Sequence, residues 1–292
     1  MMRGLHTPVR AIRRRVFKEV AQLGFKADED TLLADMEAIP YAIVNEDSEK
    51  YRESVYRARA IVRERLRLAM GLSLRPENKP VHLTAGVEAS NISEKYYEPP
   101  LMQVIPSACE SCEENKYEVS NICKGCLAHP CQEVCPKDAI SMVNGRSYID
   151  QEKCIKCGKC KSVCPYDAIA KKERPCQKAC GVNAIKSDKM GRAYIDNEKC
   201  VSCGMCMVSC PFGAISDKSQ IFQLARALSE GENVIAEIAP AFVGQFGDNI
   251  TPRNIKAALR ELGFSEVYEV ALGADIGAIA EAHHYVDKVV TG

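Results

Sequence analysis

Apolar positions recur at helical spacing over the first quarter of the chain. From Pro8 to Leu23 they fall at Val9, Ile12, Val16, Val20 and Leu23, the pattern that one face of a helix buries. Asp28 to Thr31 is suited to capping a second helix that runs to about Ile39, with Pro40 beyond it. A third helix is predicted from Ser48 to about Met70, stopped by Gly71. It carries arginines at 52, 57, 59, 63, 65 and 67, which either dock an acidic partner or form a solvated face beside Glu53 and Glu64. From Pro76 to Pro106 the chain reads as extended, with short strands predicted at Val81–Thr84 and Met102–Ile105. After Ala214 the pattern changes again. A helix is predicted over Ser219–Leu228, a strand over Asn233–Ala239, and a helix from Pro252 to Leu262 before Gly263. A strand over Val267–Leu272 and a helix over Ala274–Val290 complete the series. Alternation of this kind predicts a parallel α/β layer, too short to close a domain of its own.

Between these regions no apolar period dominates, and cysteine spacing takes over. All sixteen cysteines lie from Cys109 to Cys210. Two runs are uninterrupted: Cys154, Cys157, Cys160, Cys164-Pro165 and Cys200, Cys203, Cys206, Cys210-Pro211. This is the bacterial ferredoxin spacing, in which three thiolates hold one iron–sulfur cubane and the fourth ligates its neighbour. A short loop must aim successive thiolates at different corners of one cube, so only two residues separate them. A third run, Cys123, Cys126, Cys131, Cys135-Pro136, is slightly stretched, and a fourth is reduced to Cys176 and Cys180. The residues just past each last cysteine are alike: Asp138-Ala-Ile140, Asp167-Ala-Ile169, Asn183-Ala-Ile185 and Gly213-Ala-Ile215. A two-cluster unit has been duplicated, its own halves already being repeats.

The two-cluster rule assigns ligands. Cys123, Cys126 and Cys131 take Cys164; Cys154, Cys157 and Cys160 take Cys135; Cys200, Cys203 and Cys206 take Cys180. Cys176 and Cys210 remain where a last cluster belongs. One spare pair, Cys109 and Cys112, completes a fourth set of four. The alternative is that Cys109 and Cys112 form a redox pair or bind another metal. Disulfides belong to oxidising compartments, and zinc sites space their cysteine pairs differently. The expected cofactors are therefore 4Fe-4S clusters, three on tandem spacing and a fourth on long-range closure.

Composition narrows the partners. Lysine plus arginine and aspartate plus glutamate both number 39 in 292 residues, so no global pull toward nucleic acid is implied. No apolar stretch is long enough for a membrane span. Arg14-Arg15-Val16-Phe17-Lys18 has the look of a twin-arginine export signal, but a charged segment comes next instead of an apolar one, so a helix with a basic face is expected, and a cytoplasmic, anaerobic setting fits sixteen reduced thiolates. His129 lies between Cys126 and Cys131, where it either hydrogen-bonds a cluster sulfide or packs its loop. His283 and His284 sit on a predicted helix with nothing catalytic near them, and Gly244-x2-Gly247 is too short to make a phosphate loop.

Ile238-Ala-Pro-Ala-Phe242, then Ala258-Leu-Arg-Glu-Leu-Gly-Phe264, Gly273-Ala-Asp275 and Glu281-Ala-His283, resemble the opening of the catalytic domain of FeFe hydrogenases. The region before them looks like the four-cluster accessory domain of the group B branch. The resemblance covers roughly residues 105–292. It implies electrons passing through cubanes to an active-site cluster that interconverts protons and H2. The family's catalytic cysteine motifs lie further on, and this chain has no cysteine after Cys210. The expectation is an N-terminal piece of such an enzyme that makes no H2 by itself, its partners being the hydrogenase catalytic domain and a ferredoxin or other redox protein.

The predicted fold class is α+β. A helical region and linker cover 1–105, a four-cluster ferredoxin-like domain 106–218 with units at 123–169 and 176–215, and a βαβα fragment 219–292. Lys156, Lys159 and Lys161 charge one cluster loop, whereas the loop from Cys200 to Cys210 is uncharged. That contrast predicts a buried Cys200 set proximal to the active site. The lysine-bearing sets would then face solvent, with Lys171, Lys172, Arg174 and Lys178 helping to dock an acidic ferredoxin. A difference in exposure between Cys203 and Cys157 is the structural consequence. Two other functions fit the cysteines: a freestanding four-cluster electron-transfer subunit, which has no need of Ile238 to His283, and a redox sensor, which needs an output domain.

Overall fold

The computed structural model describes residues 6–26, 29–45, 52–90, 99–247 and 249–291. Helix α1 (Pro8–Lys26) buries Val16, Val20, Leu23 and Gly24, on the predicted face. Asp28, the proposed start of the second helix, and Ser48, the proposed start of the third, lie outside the described residues. Helix α2 spans Glu29–Ile43 and holds Pro40 inside it, past the expected stop. Proline in a helix interior costs roughly 3 kcal/mol. Burying Ile43 and Val44, 0% and 3% exposed, returns about 1.5–3 kcal/mol each, so the helix continues. Helix α3 is Val55–Ala69 and α4 is Val87–Ser90. The strand expected at Val81–Thr84 does not form. The buried Arg67 guanidinium takes the Leu83 and Ala85 carbonyls at 2.6 and 2.8 Å, satisfying groups that a ladder would otherwise need.

Through the cysteine region the elements are short. They are β1 (Met102–Val104), β2 (Lys116–Val119), α5 (Pro130–Glu133), β3 (Ile140–Val143), β4 (Arg146–Ile149), α6 (Lys159–Ser162) and β5 (Ile169–Lys172). Then come α7 (Pro175–Lys178), β6 (Ile185–Ser187), β7 (Ala193–Ile195), α8 (Met205–Ser209) and β8 (Ile215–Asp217). Strand β2 pairs antiparallel with β5, from Lys116↔Lys172 to Val119↔Ile169, and brackets the hairpin β3–β4. Strand β1 pairs antiparallel with β8, from Met102↔Asp217 to Val104↔Ile215. These two enclose the hairpin β6–β7. The two ferredoxin units are thus nested. The unit bracketed by β2 and β5 is inserted into the one that opens at β1 and closes at β8. Each has one apolar cluster between its sheets: Tyr117, Ile140, Ile149 and Ile169 in the inner unit, Met102, Ile185, Ile195 and Ile215 in the outer.

Helix α9 (Ile221–Ser229), β9 (Ile235–Ile238), α10 (Pro252–Glu261), β10 (Glu266–Glu269) and α11 (Val270–Tyr285) complete the chain. Strands β9 and β10 are parallel, as the alternation predicts. Strand β10 stops at Glu269, paired with Ile238 at the end of β9. With no partner beyond it, the chain enters α11 four residues before the expected Ala274. Thr251 and Asn254 cap α10 reciprocally, with Pro252 in its first turn. Helix α11 buries no side chain.

The chain divides into two compact units. The first has described residues 6–13, 52–65 and 99–218, and holds every cysteine. The second has 14–26, 29–45, 66–90, 219–247 and 249–291. In the second, α1 and α9 approach so closely at Gly24 that a Cβ there would lie 2.7 Å from Ala225 Cβ. Among the described residues no helix is long and apolar enough to cross a membrane.

Candidate metal centres

Four half-units share one backbone geometry. In each Cys-x2-Cys loop the residue before the second cysteine is left-handed: Ser111, Gly125, Lys156 and Ser202, with φ of 45, 57, 60 and 54°. That conformation turns the second thiol back toward the first instead of continuing the chain. The next cysteine then sits on a one-turn helix. Cys131 (α5), Cys160 (α6), Cys176 (α7) and Cys206 (α8) are all buried. After the last cysteine comes a second left-handed residue, at Asp138, Asp167, Asn183 and Gly213. It aims the next alanine N–H back at the sulfur. Ala139, Ala168, Ala184 and Ala214 donate to Cys135, Cys164, Cys180 and Cys210 Sγ at 3.3, 3.3, 3.2 and 3.3 Å. Donors of this kind favour thiolate and tune a bound cluster.

The upstream Cys109–Cys112 pair repeats the backbone geometry of the complete half-units. Cys109-x2-Cys112 has the same left-handed loop, and its Cys109 Sγ accepts from Ala193 N–H of β7 at 3.3 Å. The inner ferredoxin unit occupies the chain between Cys112 and Cys176.

Two pockets lie in the inner unit. One is lined by Cys123, Cys126, Cys131 and Cys164, the other by Cys154, Cys157, Cys160 and Cys135. Each brings together one expected set, against apolar walls that include Ile169 in the first and Tyr117 and Ile140 in the second. In the outer unit neighbouring thiols act on one another's ionisation. Burial pushes the Cys206 thiol up to about 11, with Cys200, Cys180 and Cys203 adding to it. Burial pushes Cys176 up to about 12 and Cys210 adds to it, while Cys112 is raised by burial, then by Cys210 and Cys109. Cys160 is raised in the same way by burial and by Cys154, Cys157 and Cys135. Cys123 is held down, mainly by a hydrogen bond from the Ser147 backbone. Thiols gathered so closely oppose one another's ionisation. A cationic iron core relieves that opposition, so the donor sets fit an iron–sulfur cluster. Among the described residues no three His, Cys, Asp or Glu side chains gather tightly enough for a single metal ion.

Several expectations change. Arg174 is not a docking residue: it is 2% exposed, and its guanidinium donates to Cys112 O at 2.8 and 3.0 Å and to Gly191 O at 2.8 Å. Lys171 and Lys178 pair with Glu173, and Lys172 pairs with Glu113 and Glu118, so their charges are locally matched. Lys156, Lys159 and Lys161 are exposed. Cys157 and Cys203 are both exposed, so the buried, proximal character expected of the Cys200 set is not found. His129 caps α5 in a left-handed turn, its carbonyl accepting from Gln132 and Glu133 N–H at 2.9 and 3.1 Å.

The arginines of α3 and the loop before it have a use that their spacing did not reveal. Arg52 donates to Ala108 O and Phe212 O, at 3.3 and 2.6 Å, and lies 5.7 Å from the Phe212 ring centre. Arg57 donates to Ser107 O at 2.8 Å, and both share Glu110. Arg65, 5% exposed, donates to Gly213 O. All these carbonyls flank Cys109 or Cys210.

Comparison with known proteins agrees with this geometry. Residues 232–292 match the family of the iron only hydrogenase large subunit, C-terminal domain, which bears out the resemblance seen in Ile238 to His283. Residues 123–174 match an LdpA Fe-S cluster-binding domain, and 193–216 a 4Fe-4S binding domain. A 7Fe ferredoxin of Hydrogenibacillus schlegelii is 43% identical over 18% of this chain and 68% of its own length. An uncharacterized ferredoxin of Methanocaldococcus jannaschii is 33% identical over 27% of this chain and 63% of that protein. The electron transport protein HydN of Escherichia coli is 37% identical over 24% of this chain and 41% of that protein. The chain thus spans less than two thirds of the last two relatives.

Proposed function

Because the chain belongs to the ferredoxin family of iron–sulfur electron-transfer proteins, we propose that it relays electrons to or from the active site of an FeFe hydrogenase. Four 4Fe-4S clusters would be held by Cys123/Cys126/Cys131/Cys164, Cys154/Cys157/Cys160/Cys135, Cys200/Cys203/Cys206/Cys180 and Cys109/Cys112/Cys176/Cys210. When bound, each supplies one-electron redox chemistry. The protein's part is to fix the thiolates, donate N–H groups to them and keep apolar side chains against the clusters. A low-potential redox protein would exchange electrons at Cys157, where Lys156, Lys159 and Lys161 are exposed and favour an acidic surface.

The observation that carries this reading is the hydrogenase match at 232–292 directly after the cysteine region. A relay without that role has no use for the segment. The relatives named as ferredoxins and as HydN support the second reading, a freestanding electron carrier.

Anaerobically reconstituted protein is expected to hold about sixteen irons, four per set; about twelve would remove the Cys109 set. With an active FeFe hydrogenase under H2, bleaching of the cluster absorbance reports electron transfer. Deleting 232–292 is expected to slow that bleaching about tenfold while leaving reduction by ferredoxin unchanged. Equal rates with and without the segment would favour the freestanding carrier.

A further inference from the structure

The outer ferredoxin unit closes its fourth cysteine set from three distant segments, and buried arginine meets it at each junction. Arg174 belongs to the turn before α7, which carries Cys176. Its guanidinium reaches across to the carbonyl of Cys112 itself, and also to Gly191 O and, at 3.4 Å, Lys186 O of the β6–β7 hairpin. One side chain therefore ties the upstream Cys-x2-Cys loop to the half-unit that lacks it. Arg65 holds the Gly213 turn after Cys210 in the same way.

Both arginines are almost fully buried and, among the described residues, bond only to carbonyls. Arg52 and Arg57, by contrast, share the carboxylate of Glu110. A buried cation without a hydrogen-bonded anion is expensive, and one buried Nη of Arg65 has no hydrogen-bond partner among the described residues. A cubane held by four thiolates is an anion and becomes more negative on reduction. The lysines beside Cys157 are exposed, where solvent and salt screen them far more than a buried charge.

We propose that Arg174 is the positioning residue of the Cys109/Cys112/Cys176/Cys210 set. It locks the distant Cys109–Cys112 loop in place, and its charge, with that of Arg65, makes this cluster the most easily reduced of the four. The inference rests on the reading that this set holds a cluster.

The test uses the full chain, reconstituted anaerobically, with iron content and an EPR-monitored redox titration as readouts. C176S identifies the signal of this set, expected to have the highest midpoint of the four. R174Q is expected to fill this set only in part, giving between about twelve and sixteen irons. Its reduced-to-oxidised ratio for that signal should fall about tenfold at the wild-type midpoint, a shift of about 59 mV for a one-electron couple, with the other signals unmoved. R174K keeps the charge and should stay closer to wild type. If R174Q drops to about twelve irons, the positioning role is supported, and R65Q then carries the charge argument through the same midpoint. Sixteen irons with unchanged midpoints in R174Q, or an unmoved midpoint in R65Q, would overturn the inference alone. A wild-type protein with twelve irons would instead overturn the four-cluster reading.

Discussion

Asp138, Asp167, Asn183 and Gly213 occupy one position of the fourfold repeat, and all are left-handed. Asp and Asn tolerate that conformation because their short side chains hydrogen-bond locally. At Gly213 there is a second constraint. A Cβ would strike Val9 Cγ1 and come within 2.7 Å of Arg65 Nη2, the group that holds this turn. Gly213→Ala is therefore expected to cost about 2 kcal/mol or more, from left-handed strain plus overpacking. Asn183→Gly at the equivalent site should stay within about 0.5 kcal/mol. Thermal melts of the two reconstituted variants would show this, and equal melting temperatures would refute the packing argument. The repeat itself was legible, since the residue before each Ala-Ile is Asp, Asn or Gly in all four copies. Why one copy needs glycine was not, because Val9 and Arg65 come from segments far away in sequence. Arg174 is a similar case. In a stretch containing Lys171, Lys172 and Lys178 it reads as one more surface charge, and only its hydrogen bonds to Cys112 and Gly191 carbonyls distinguish it.

Among the elements, the brief strands β2 and β5 have the largest consequence. Their pairing puts Lys116 opposite Lys172, so the inner unit leaves and rejoins the outer one at adjacent points. Such an insertion is separable when its ends lie close together. Replacing residues 116–172 with a short glycine linker is expected to leave a protein that holds about eight irons, two sets of four. Iron analysis showing none would mean that the outer unit cannot close without the inner. The sequence displayed two units because each keeps its cysteine spacing. It did not display their nesting, since β1 is only three residues long and carries no periodicity of its own. Helix α2 makes the same point on a smaller scale. Pro40 is a reliable local stop signal, and it was overridden by the burial of Ile43 and Val44, a tertiary effect that no window of sequence contains.

At the scale of the whole molecule the formal charge is zero, so any steering of a partner must come from local patches. Lys156, Lys159 and Lys161 surround the exposed Cys157. Lys159→Glu is expected to slow electron exchange with an acidic ferredoxin about tenfold at low salt. The difference should fade toward 1 M salt, where the screening length is about 3 Å. Stopped-flow rates that are equal at low salt would place docking elsewhere. The sequence by itself determined the chemistry. A cubane's corners demand Cys-x2-Cys-x2-Cys spacing within one loop, a local constraint written in consecutive residues, and the alternation after residue 219 determined the parallel pair β9–β10 in the same local way. Tertiary structure alone decided that Arg174 reaches the Cys112 carbonyl and Arg65 the Gly213 carbonyl. Those contacts join residues 62 and 148 positions apart, and chain closure over such distances depends on strand pairing and burial rather than on any local pattern.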